Sequence, residues 1–138
     1  MQKRTRAALL AASAGAFMVM GISPASADTY DSSCSSTGVV GSLYTTGWDY
    51  NEKTIPYVSL AVSDSLADGH HVAVRLVTVG QTDDDVTYFP WHHYYGGQGG
   101  ATAWETSATT ARPIAGFRLE AARFEGSTLL NYCAAKAA

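Results

Sequence analysis

Four histidines fall in two adjacent pairs, His70-His71 and His92-His93. Imidazole nitrogens bind zinc or copper, so the pairs invite a metal centre. Neighbouring residues on a strand point to opposite faces. Each pair therefore offers one imidazole to a shared site unless it lies in a loop, and no Cys or Glu stands at a matching spacing. The pairs read as strand-end histidines, and no metal ligand is assigned. Asp83-Asp84-Asp85 carries the oxygens that calcium takes, but lacks the spaced pattern of a calcium loop and reads as a solvated turn. There is no G-x-S-x-G elbow, no H-E-x-x-H and no P-loop. Two carboxylates for glycoside hydrolysis could come from Asp49, Glu105 or Glu120, yet nothing selects a pair. No catalytic residue and no cofactor is assigned, and an enzyme is not expected.

The aromatic residues carry more information. Tyr88, Phe89, Trp91, Tyr94 and Tyr95 lie within one short stretch beside Gly96-Gly97-Gln98-Gly99-Gly100, with Trp48, Tyr50 and Trp104 elsewhere. Exposed Trp and Tyr stack on sugar rings or anchor protein interfaces. Trp91 and Trp104 could equally fill a core. Trp91, Tyr94 and Tyr95 are the candidate partner contacts here.

The first 27 residues read as an address rather than as fold. Lys3, Arg4 and Arg6 precede an apolar run from Ala7 to Ile22, and Ala25-Ser26-Ala27 is a small-x-small cleavage site. The run is shorter than the roughly 20 residues a membrane span needs. Residues 1–27 are expected to be a cleaved signal peptide and 28–138 an exported domain. All 12 acidic residues but only six of the nine Lys and Arg follow Ala27, so the exported part carries a side-chain charge of −6. That balance disfavours nucleic acid and anionic membranes as partners. In an exported chain, Cys34 and Cys133 are expected to form one disulfide, since no close redox pair exists. Closing so long a loop is worth roughly 4.7 kcal/mol by chain entropy.

The elements that would position these residues are strands. Only 15% of residues are charged, 11% are aromatic and 13 are glycine, which suits a small all-β domain and not a disordered chain. Val58, Leu60 and Val62 alternate with small residues across 57–63. Val72, Val74 and Leu76 oppose Ala73, Arg75 and Val77 across 71–79, the strongest strand. Segments 39–44, 48–50, 86–91, 101–109, 115–124 and 128–133 complete the set, with Pro90 marking an edge or an end. Phe117, Leu119 and Ala121 share one face of 115–124 while Phe124 falls on the other, which a bulge near Ala121-Ala122 would repair. The glycine-rich stretch reads as a flexible loop. The expected architecture is a single antiparallel β-sandwich of about seven short strands, stapled by Cys34–Cys133.

The run Asp68-Gly69-His70-His71 into Val72-Ala73-Val74-Arg75-Leu76, then Tyr88-Phe89-Pro90-Trp91, continues through Trp104 to Ala122-Arg123-Phe124-Glu125-Gly126 and Leu129-Leu130-Asn131-Tyr132-Cys133. It resembles small exported β-rich proteins of streptomycetes and related actinobacteria, in particular the adaptor subunit of umbrella toxin particles. In that family the adaptor connects lectin-bearing subunits to a large toxin-bearing subunit, in particles released against competing bacteria. The resemblance implies a secreted, non-catalytic protein–protein adaptor whose partners are those other secreted subunits. For such a role the polar segment 28–38 is a second candidate contact. Asp28, Thr29 and Tyr30 precede Cys34 and are free to extend into a partner as a strand. The alternatives are a carbohydrate-binding module using Trp91, Tyr94, Tyr95 and Trp104 as a platform, or a small secreted inhibitor using the 96–100 loop.

Overall fold

The computed structural model describes residues 28–138, so the signal peptide expected at 1–27 lies outside the described residues. Nine strands follow one another: β1 Thr29–Ser36, β2 Val39–Thr46, β3 Thr54–Asp64, β4 His71–Val79, β5 Val86–Tyr88, β6 His92–Tyr94, β7 Ala101–Thr109, β8 Gly116–Glu125 and β9 Thr128–Lys136. One sheet has the order β1-β2-β3-β7. The other has the order β5-β4-β8-β9, with β6 pairing the opposite half of the same β4 edge. All pairings are antiparallel. The all-β sandwich expected from alternation is therefore present, with nine strands instead of about seven.

Period-2 alternation builds the interior. Val39 and Leu43 of β2, Val58, Leu60 and Val62 of β3, Val72, Val74 and Leu76 of β4, and Phe117, Leu119 and Ala121 of β8 form one buried cluster. The β3–β7 register shifts between Ile55 and Val58, so both point inward despite their odd spacing. Gly41 lies where the sheets approach closely: a Cβ there would stand 2.5 Å from the Ala121 Cβ. Cys34 and Cys133 are bonded across the β1 and β9 edges, closing that side of the sandwich.

Four details depart from expectation. The segment 48–50 is not a strand: Trp48 caps the core, edge-on to Tyr30 and Phe117 at 5.5 and 5.1 Å. The single strand expected at 86–91 is split into β5 and β6 around Pro90, which has no N–H for a ladder. Phe124 needs no repair, because it belongs to a second small cluster on the outer face of β4 and β8, with Ala73, Ala122 and Trp91. The bulge itself lies in β9, where the register shifts between Arg123 and Phe124.

The fourth departure concerns the N-terminal segment. Residues 29–36 are no free extension. They pair with β2 along their whole length, from Thr29↔Thr46 to Ser36↔Val39. Gly38, at φ +79°, makes the tight turn that folds β1 back. Tyr30 and Cys34 supply the inward side of this strand. A hydroxyl-rich strand with only those two apolar anchors reads as a tail until its partner is known.

Candidate functional site

The outer face of the second sheet holds the chemistry. Register places Arg75 opposite Glu120, Val77 opposite both Arg118 and Tyr88, and Ala73 opposite both Ala122 and His93. On β9, the bulge lets Leu129 face Phe124 and Tyr132 face Ala122, so two residues of unlike parity share this face. Arg75, Tyr88, Trp91, Arg118, Glu120, Leu129 and Tyr132 line a groove of about 460 Å³, a volume within the range of ordinary ligand sites.

At the floor, Glu120 is only 5% exposed. Its Oε2 accepts from Arg75 Nε at 2.8 Å and Nη2 at 2.7 Å. Its Oε1 accepts from Arg118 Nε at 3.2 Å and Nη2 at 3.1 Å. One carboxylate thus orients two guanidiniums, and the cluster keeps one excess positive charge. Arg75 also stacks on Trp91 and Tyr88, 4.3 and 4.6 Å from their ring centres. Such stacking fixes a guanidinium without consuming its N–H donors. Tyr88 and Tyr132 remain 55% and 58% exposed at the rim.

Beside the groove, the two histidine pairs separate as strand geometry requires. His71 and His93 meet on the outer face, with His71 Nε2 3.0 Å from His93 Nδ1. His92 turns to the other side and packs on Trp104. Burial lowers the pKa of His71, and the nearby charges of His93 and His70 add to it. His93, exposed on the same face, is lowered by partial desolvation and then by His92. Tyr95, 73% exposed, lies over His71 with ring centres 4.3 Å apart, and Phe124 stacks at 5.5 Å. Among the described residues, no three His, Cys, Asp or Glu side chains converge to hold a metal ion.

The candidate contacts named from sequence are divided. Trp91 and Tyr95 lie on this outer face. Tyr94 and Trp104 pack against the core. The Tyr94 hydroxyl is enclosed by the glycine loop: a Cβ at Gly96 or Gly100 would stand 2.0 or 1.8 Å from it. Asp64 holds the same loop by accepting from Gly99 N at 2.8 Å and donating to Gly100 O at 3.1 Å. The stretch is thus tied around a ring: Gly96 and Gly100 allow close approach to Tyr94, while Gly97 and Gly99 take positive φ in open space. Tyr30 packs inward, while Asp28 and Thr29 stay exposed at the start of β1. The sequence does not single out Arg75, Tyr88, Arg118, Leu129 or Tyr132 as site residues. The Arg118, Glu120, Ala122, Phe124 alternation on β8 was the available signal.

Fold and site together define a disulfide-stapled, nine-stranded β-sandwich with an aromatic and arginine-lined outer face. Comparison with protein-family models, curated proteins and solved structures found no match. Among the described residues, no helix is long and apolar enough to cross a membrane. The disulfide is compatible with an extracellular protein.

Proposed function

We propose that this chain is a secreted, non-catalytic protein-binding module that docks a partner on the outer face of its second sheet. Its concrete form is the adaptor role the resemblance implies, linking lectin-bearing subunits to a large toxin-bearing subunit in an antibacterial particle. The observation that carries the proposal is the composition of the face. Tyr88, Trp91, Tyr132, Leu129, Arg75 and Arg118 surround one groove. Trp, Tyr and Arg are the residues that dominate interface energetics, and they do so around desolvated pockets. An adaptor needs a second surface, and the exposed Asp28 and Thr29 on the other sheet offer one.

Sugar binding is less well supported. The four-ring platform of Trp91, Tyr94, Tyr95 and Trp104 is split, with Tyr94 and Trp104 packed against the core. One face of Trp91 is covered by Arg75, and one face of Tyr95 lies on His71. Each of those rings therefore offers less surface on which a pyranose could stack.

The test is affinity purification of the tagged chain from the culture supernatant of its own host, followed by mass spectrometry. Stoichiometric recovery of a lectin-bearing chain and a much larger chain is the expected result. Recovery of the protein alone, together with retention on chitin, cellulose or peptidoglycan, overturns it in favour of the carbohydrate module.

A further inference from the structure

We infer that the groove between Tyr88, Trp91 and Tyr132 is a carboxylate-recognition subsite, in which Arg75 and Arg118 receive an acidic segment of the docked partner chain. The inference rests on the protein-binding reading above and names the chemistry of the partner.

Three observations carry it. First, the cluster is electrostatically incomplete. Two guanidiniums share one carboxylate, and both bind it through Nε and Nη2. That leaves the Nη1 donors of Arg75 and Arg118 without a hydrogen-bond partner among the described residues. Second, the donors are held in place before any ligand arrives. Glu120 fixes both guanidiniums from below, and the rings of Tyr88 and Trp91 clamp Arg75 from the sides. Pre-ordered arginines lose little entropy on binding and present a fork that matches a carboxylate. Third, the charge distribution selects the ligand's sign. Of the 12 acidic residues, Glu120 is the one whose side chain lines the groove. Lys136 stands opposite Arg118 on the next strand and adds a further positive charge. A chain that is acidic after residue 27 thus gathers cations around this aromatic groove. A partner must approach that acidic body, and a positive patch at the docking face is what steers an acidic segment to it.

The partner's carboxylate is expected to lie between the two Nη1 groups, with its backbone against Trp91 and Leu129 and the two tyrosine hydroxyls at the rim. A protein segment fits better than an acidic sugar, because Arg75 covers one face of Trp91 and reduces the ring surface a pyranose would stack on.

The experiment is a pair of NMR titrations of the purified chain. The probe is the blocked peptide acetyl-Tyr-Glu-Leu-Glu-amide, and the control is the same peptide with Gln for Glu. The Trp91 indole N–H and the Arg75 and Arg118 Nε–H signals are expected to shift saturably with the Glu peptide. Binding of the Gln peptide is expected to be at least about 10-fold weaker, as is that of the Glu peptide to Arg118→Gln, with Arg118→Lys in between. Equal binding of the two peptides overturns the inference, as does unchanged binding to Arg118→Gln. Free glucuronate producing the same shifts at the same concentration also overturns it, because the groove would then be a site for acidic sugars. The two proposals fail separately. A partner captured equally well by wild type and Arg118→Gln keeps the docking face and removes the carboxylate subsite. Selective Glu-peptide binding with no partner captured does the reverse.

Discussion

Arg75 and Glu120 face each other across β4 and β8, with Nη2 2.7 Å from Oε2, and the carboxylate is almost wholly buried. The pair sits on the side of the sheet turned away from the main core. Trp91 and Phe124 cover Ala73 and Ala122 next to it. A polar centre walled by aromatic rings is thereby built where a sandwich normally shows only solvated side chains.

Removing one member of that pair should cost more than removing both. Arg75→Met leaves Glu120 with Arg118 alone, and a loss of about 2 kcal/mol is expected, below the roughly 3–5 kcal/mol of a fully buried pair because Arg75 is partly exposed and Arg118 still holds the carboxylate. Arg75→Met combined with Glu120→Leu should recover most of the loss, because no buried carboxylate is left short of a partner and the freed Arg118, whose side chain is 30% exposed, can turn to solvent. Urea unfolding of the three variants measures this.

The disulfide joins residues 99 positions apart, near both ends of the sandwich. Cys34→Ser with Cys133→Ser should lower stability by about 3–5 kcal/mol through the freed denatured chain. The β1–β2 and β8–β9 hairpins should persist in the native state, since their registers do not depend on the bond. Thermal melts with and without reductant check the magnitude, and amide exchange checks the persistence.

Acid should weaken the fold through the histidine pair. His71, which is buried, and His93, which is more exposed but partly desolvated against it, both have folded pKa values below the ordinary histidine value of about 6.5. The unfolded chain therefore takes up protons before the native state does. Stability is complete above about pH 6.5 and is lost as pH falls through the depressed folded values. A Tm series from pH 8 to 5 should show that decline, and His71→Gln should flatten it. A wild-type Tm that rises on acidification would contradict the assignment.

Close approach between the sheets gives a sharper packing test. Gly41→Ala would set its methyl group against Ala121, a contact the backbone itself must move to relieve. A loss of about 1–3 kcal/mol is expected. Adding Ala121→Gly should restore part of it, as read by the denaturation midpoint.

The strands with apolar alternation were legible in the sequence, because Val72, Val74 and Leu76 or Val58, Leu60 and Val62 admit one facing only. The Cys34–Cys133 bond was legible from having two cysteines and no close pair. β1 was not, because its outward residues are hydroxyl and acid groups and its inward side offers only Tyr30 and Cys34 as anchors. The candidate site was half legible. Trp91 and Tyr95 could be named from aromatic clustering, and Arg75 could be placed on the outer face. Its partner Glu120 lies 45 residues away on another strand, and nothing local fixes that register. Tyr132 and Leu129 needed the β9 bulge to reach the same face, and a bulge leaves no signature in a run such as Leu129-Leu130-Asn131-Tyr132. Tyr94 went the other way. Its neighbouring glycines suggested exposure, whereas Gly96 and Gly100 enclose its hydroxyl.

The most direct measurement compares capture of the host partner by wild type and by Tyr88→Ala with Tyr132→Ala, both exposed rim residues whose truncation leaves the core untouched. Two hot-spot losses should weaken the complex by about 100-fold or more, with an unchanged Tm. Undiminished affinity in the double variant would contradict the assignment of the second sheet's outer face as the docking surface.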